Sequence, residues 1–122
     1  MEKSLNAFFD AWSETDAEKR LTLIASAMSD TSVYSDPRSG GRLSGPTAIS
    51  DYVGMFSANA PGWTAKVVSC DDVNGYCRAI VAFGGQGPDG SDMVQHGTYF
   101  ADADETGKLS VLAGFVGTGA VE

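Results

Sequence analysis

The sequence has one histidine and two cysteines among 122 residues, and only eight lysines and arginines against sixteen acids. A lone histidine makes a zinc site built on Cys70 and Cys77 a poor reading, because such sites draw on several thiolates and imidazoles. The shortage of bases leaves a net charge of −8. An acidic surface repels phosphate backbones and anionic headgroups, so neither nucleic acid nor membrane is the expected partner. No run approaches the roughly 18 consecutive apolar residues of a membrane span. The start, Met1-Glu2-Lys3-Ser4-Leu5-Asn6, reaches Asp10 before any apolar stretch of signal-peptide length, and Ala120-Val121-Glu122 carries no lipidation box. With two half-buried free thiols as the plain reading of the cysteines, the expectation is a cytoplasmic protein. No nucleophile elbow, phosphate-loop lysine motif, internal repeat or domain-separating linker occurs.

What is present is a 43% hydrophobic, 20% charged chain of one-domain length. Residues 1–122 therefore read as a single domain. Leu5, Phe8, Phe9 and Trp12 fall on one helical face, spaced i, i+3, i+4, i+7. Thr15-Asp16-Ala17-Glu18 reads as a capping box opening a second helix, with Leu21, Ile24, Ala25 and Met28 as its stripe. Thr31, Val33 and Tyr34 mark a short strand over 31–35, and Pro37 to Gly45 a loop. Gly45-Pro46 starts a third helix with Ile49, Tyr52, Val53 and Phe56 as its stripe. Four strands follow, near 63–70, 76–84, 92–102 and 109–118. Asn74-Gly75 is a strong hairpin signal between the first two. Helices first and a meander after predict an α+β domain: a cone of three N-terminal helices packed on a curved, mostly antiparallel sheet.

Two short motifs fail on context. Gly85-Gln86-Gly87-Pro88-Asp89-Gly90 has the letters of a dinucleotide fingerprint, but turn chemistry and a strand follow where a helix is required. Asp102 to Gly107 begins like a calcium loop, yet Ala113 stands where the bidentate glutamate belongs. No metal and no cofactor is expected.

Two polar residues stand in apolar surroundings. Asp36 ends a strand, and Pro37 holds it extended. Alternation puts Tyr34 on its face. On its own, Asp36 reads as a turn aspartate bonding the loop behind it. His96 shares a strand face with Val94, Thr98 and Phe100, opposite Met93, Gln95, Gly97 and Tyr99. If the Val94/Phe100 face meets the helices, His96 points into the cone; otherwise it is a rim histidine.

The order of elements, with Ser32-Val33-Tyr34-Ser35-Asp36-Pro37, Leu43-Ser44-Gly45-Pro46, His96-Gly97-Thr98-Tyr99-Phe100 and Gly107-Lys108-Leu109, resembles the nuclear-transport-factor-2-like superfamily. Within it the chain looks most like SnoaL-like polyketide cyclases and ketosteroid isomerases. The resemblance covers nearly the whole chain and implies a cystatin-like α+β barrel. It implies a proton-shuttling role for Asp36 and an acidic donor at His96, once the Ala101–Glu105 turn is allowed a short insertion. The oxyanion tyrosine of the first helix falls on Trp12, and a second pocket tyrosine on Val53. Two expected donors are thus altered, and Tyr34 is a candidate replacement. The implied pocket is walled by Trp12, Tyr34, Tyr52, Val53, Phe56 and Phe100, with Val116 near the mouth. It suits a hydrophobic cyclic or carbonyl ligand undergoing isomerisation, cyclisation or dehydration. The alternative is a non-catalytic binding or accessory domain of the same fold. A homodimer through the uncovered sheet face is expected, by resemblance and because no helix is left to cover it.

Overall fold

A computed structural model describes residues 1–119; the Ala120–Glu122 tripeptide, read for lipidation, lies outside the described residues. Helix α1 spans Glu2–Asp10 and runs into a 3₁₀ turn, Ala11–Ser13. Together they carry the predicted stripe: Leu5, Phe8, Phe9 and Trp12 are all at most 3% exposed. Asp16 then caps α2 (Ala17–Ala27), accepting from the backbone N–H groups of Glu18 and Lys19 at 2.9 and 3.1 Å. Pro46 opens α3 (Pro46–Asn59) behind Gly45, whose φ of 83° only glycine adopts readily.

The sheet is curved and unclosed, with strand order β2-β1-β6-β5-β4-β3. Strand β1 covers Met28–Ser35 and β2 the short Leu43–Ser44. The meander is β3 (Thr64–Val73), β4 (Tyr76–Gln86), β5 (Asp92–Ala103) and β6 (Leu109–Val116). All neighbours are antiparallel except β1 and β6, which run parallel. Asn74 and Gly75 take positive φ at the β3–β4 hairpin, as their sequence predicts. The Gly85–Gly90 motif begins in the last residues of β4 and turns at Gly87–Gly90 toward β5, with no helix after it. Asp104 Oδ1 accepts from Thr106 and Lys108 in the tight turn between β5 and β6.

Three expectations change. The inner stripe of α2 is Arg20, Ile24 and Ala27, while Leu21 is 36% exposed. Met28 is the first residue of β1 rather than the last turn of a helix, so the stripe rotates. Arg20 is accommodated because its Nε donates to the Glu14 carbonyl and its guanidinium lies on Gly54. Second, Cys70 and Cys77 are joined as a disulfide across the β3–β4 hairpin, not free thiols, with Cα atoms 6.4 Å apart. That removes the support free thiols gave to a cytoplasmic location; among the described residues no helix is long and apolar enough to cross a membrane. Third, the inner face of β5 carries Gly97, Tyr99 and Ala101. Phe100 is 41% exposed on the outer face, its ring against Tyr76. With Val94 and Val111 it forms an apolar outer surface that no helix covers.

Candidate functional site

The helices close one side of the cone and leave a cavity of about 910 Å³ between α3, the 3₁₀ turn and the inner faces of β4, β5 and β6. Its walls include Trp12, Tyr52, Phe56, Trp63, Phe83 and Tyr99, and the loop after β1 contributes Asp36 and Arg38. The wall is packed edge to face. Trp12 meets Phe56 at 4.9 Å and Phe83 at 5.4 Å between ring centroids, and Phe9 meets Tyr99 at 5.0 Å. The Trp12 indole N–H is enclosed among these rings and has no acceptor. Glycine keeps the floor open. A Cβ on Gly114 would sit 2.5 Å from the Tyr99 ring, so only a residue without a side chain fits opposite Tyr99.

Asp36 is the polar centre. Tyr34 Oη donates to its Oδ2 at 2.6 Å, and Tyr52 Oη reaches Oδ1 and Oδ2 at 2.7 and 2.8 Å. The same residue also holds its loop: Oδ1 accepts from the Arg38 N–H at 2.8 Å, and its own N–H donates to Ser39 Oγ. The turn reading and the pocket reading of Asp36 thus both describe it.

A third phenol completes the network. Tyr99 Oη lies 3.0 Å from Tyr34 Oη. Each phenol has one proton, and an ionised carboxylate only accepts. The Tyr34 proton therefore goes to Asp36, and Tyr99 donates to Tyr34. The sense of the chain is Tyr99 to Tyr34 to Asp36, with Tyr52 donating to Asp36 from the opposite side. Burial raises the Tyr34 phenol well above its usual range, and Tyr99 and the charge and hydrogen bond of Asp36 raise it further. Burial also raises Tyr52, with Asp36 adding and Arg38 opposing. Tyr99 is raised chiefly by burial, with the charge of Asp36 adding to it. All three stay neutral donors through the physiological range.

The structure sorts the sequence candidates clearly. Asp36, Trp12, Tyr52, Phe56 and Val116 line the cavity. Tyr34 lies behind Asp36, fully buried and bonded to it. Val53 is fully buried in the core and does not line the cavity. The tyrosine that faces Asp36 from α3 is its neighbour Tyr52, one residue and about 100° around the helix. Phe100 is excluded, because its face of β5 points outward. His96 shares that outer face and is exposed; it borders the cavity and makes no side-chain hydrogen bond to Asp36 or the tyrosines. Tyr99 was missed, although its alternation with Gly97 and Ala101 is the small-large pattern of a filled barrel interior.

Several solved structures share this architecture. A SnoaL-like family protein from Agrobacterium tumefaciens superposes with a TM-score of 0.79 at 22% identity, over 95% of this chain and 96% of that one. A protein with a ketosteroid-isomerase-like fold from Catenulispora acidiphila, solved in complex with trimethylamine, gives 0.75 at 12% identity, over 98% and 88%. An NTF2-like protein of unknown function from an Exiguobacterium species gives 0.73 at 24% identity, over 96% and 99%. No protein-family model matches the sequence, and no curated protein is significantly similar to it. The chain thus has the fold of the superfamily its motifs resemble; at these identities the likeness concerns the fold.

Proposed function

We propose that the cavity binds a hydrophobic cyclic or carbonyl-containing small molecule, and that Asp36 moves a proton on it as general base and then acid. The observation that carries this reading is a carboxylate at the wall of an aromatic cavity, flanked by two phenolic donors. Asp36 would take a proton from a carbon beside the ligand carbonyl. Returned to another carbon of the skeleton, it gives isomerisation. Given to a second carbonyl oxygen as the new carbanion attacks that carbon, it gives ring closure, and given to a departing hydroxyl it gives elimination of water. The electron pair left behind moves to the carbonyl oxygen, which needs a donor. Before the transfer, Tyr34 and Tyr52 both donate to Asp36. Once Asp36 carries the proton its demand for donors falls, and Tyr52, which lines the cavity, is free to donate to the new oxyanion while Tyr34 keeps Asp36 in place. Base and oxyanion donor are then coupled through one hydrogen bond. A general base contributes about 10²–10⁴-fold, so Asp36→Asn should lower turnover of an identified substrate by at least about 10²-fold. A loss below about tenfold removes Asp36 from the base role.

One observation favours a second reading, a non-catalytic binding domain. Both Asp36 oxygens already accept phenol protons, and a satisfied carboxylate can simply fix its loop. Thermal stabilisation by many unrelated apolar carbonyl compounds, unchanged in Asp36→Asn, would select this reading.

A further inference from the structure

Among the described residues, Arg38 is the one lysine or arginine on the cavity wall, as Asp36 is the one acid. Pro37 separates the two, and the Arg38 N–H is fixed to Asp36 Oδ1 at 2.8 Å, so the backbone that launches the Arg38 side chain is held in one place. The guanidinium has no carboxylate partner: among the described residues the ion pair present is Arg78 with Asp71, on the far hairpin. It is not needed by Asp36 either, whose charge Tyr34 and Tyr52 already serve. Its charge is nonetheless felt inside the cavity, where it works against burial and Asp36 at the Tyr52 hydroxyl.

The geometry points to a ligand that carries an acidic group, a carboxylate or an equally acidic enol, held by the Arg38 guanidinium at the mouth while its apolar ring lies against Trp12, Phe56 and Phe83. This rests on the small-molecule reading of the cavity and narrows it to anionic ligands. The guanidinium suits the task because its planar fork pairs with a carboxylate bidentately, which a lysine cannot do. The net negative field of the protein disfavours anions at long range, so their capture requires a local cation of this kind.

The test uses naphthoate and its methyl ester, which share a ring and differ in charge, titrated calorimetrically into the full chain. The acid is expected to bind about tenfold or more tightly than the ester. Arg38→Gln should abolish that preference without weakening the ester, and Arg38→Lys should keep part of it. Added salt should weaken the acid alone. Arg38 is exposed, so the variants are expected to fold, which circular dichroism checks. Equal binding of acid and ester by the wild type, or a preference that survives Arg38→Gln, overturns the role of Arg38 and leaves the pocket intact. Binding of neither compound overturns the small-molecule reading of the cavity and this inference with it.

Discussion

Removing one oxygen from the Tyr34–Asp36–Tyr99 chain should destabilise the whole fold. Tyr34 is 0% exposed, and its hydroxyl donates to Asp36 at 2.6 Å and accepts from Tyr99 at 3.0 Å. Tyr34→Phe keeps the ring, so little cavity term arises. It deletes a hydrogen bond to a charged group, worth about 1.5–3 kcal/mol. It also leaves the Tyr99 hydroxyl without its acceptor, a further 1 kcal/mol or so if cavity water partly replaces it. The sum is about 3 kcal/mol, roughly a 10 °C fall in melting temperature for a domain of this size. Tyr52→Phe is the control. Tyr52 is half-buried at the cavity wall, where water can take its place, so about 1 kcal/mol is expected. Urea unfolding followed by circular dichroism reads both, with the midpoint moving at constant slope. A double-mutant cycle with Asp36→Asn should show coupling well above 0.5 kcal/mol for Tyr34. Tyr34→Phe within about 0.5 kcal/mol of the wild type, or Tyr52→Phe costing more than Tyr34→Phe, would refute the hydrogen-bond sense assigned to the network.

Two further outcomes follow from the same geometry. The network phenols are raised in the folded state, so their contribution to stability is fully present below the unfolded tyrosine value, near pH 10, and is lost as pH rises beyond it. Tyr34 and Tyr99 together should steepen the fall to about 3 kcal/mol per pH unit, with a smaller addition from the more solvent-screened Tyr52. Phenolate absorbance and loss of the circular dichroism signal should therefore rise together, and a native signal with more than one of the four tyrosines ionised contradicts this. Gly114→Ala would place a Cβ 2.5 Å from a Tyr99 ring boxed in by Phe9 and Tyr34, and should cost about 1–3 kcal/mol in urea unfolding. A neutral Gly114→Ala would mean that Tyr99 moves freely, and that the network is not held by packing.

The cone was legible because its signals are periodic. The α1 and α3 stripes and the Asn74-Gly75 turn each state their structure locally. The α2 stripe was misread because Met28 continues the helical spacing while belonging to β1, where pairing with β6 decides its conformation. A two-residue strand such as β2 leaves no periodic trace, and its pairing through Val33 and Tyr34 is a tertiary fact. The disulfide needs the diagonal register across β3 and β4, in which Cys70 sits opposite Ala79 and Cys77 opposite Asp72; spacing alone does not distinguish it from two thiols.

The choice of face on β5 shows why the site was harder to read than the fold. Alternation leaves open which of the Val94/Phe100 and Met93/Tyr99 faces is the inner one, because the apolar-inside rule decides only where the outer face is polar. Here both faces are apolar, because the outer one is left uncovered with Tyr76, Val94, Phe100 and Val111 upon it. What separates them is size. The inner face must fit Tyr99 against Phe9 and Tyr34 while leaving a cavity, and it does so by pairing Tyr99 with Gly114 and placing Gly97 beside it. A strand whose large residue faces glycine across the ladder is the signal of a hollow interior, and read that way it picks Tyr99 over His96. The same shift of emphasis applies to α3. The position that the resemblance gives to a pocket tyrosine, Val53, is buried in the core, and its neighbour Tyr52 is the residue of α3 that reaches Asp36. Two phenols thus meet the Asp36 carboxylate, one from the strand that leads into it and one from the helix across the cavity.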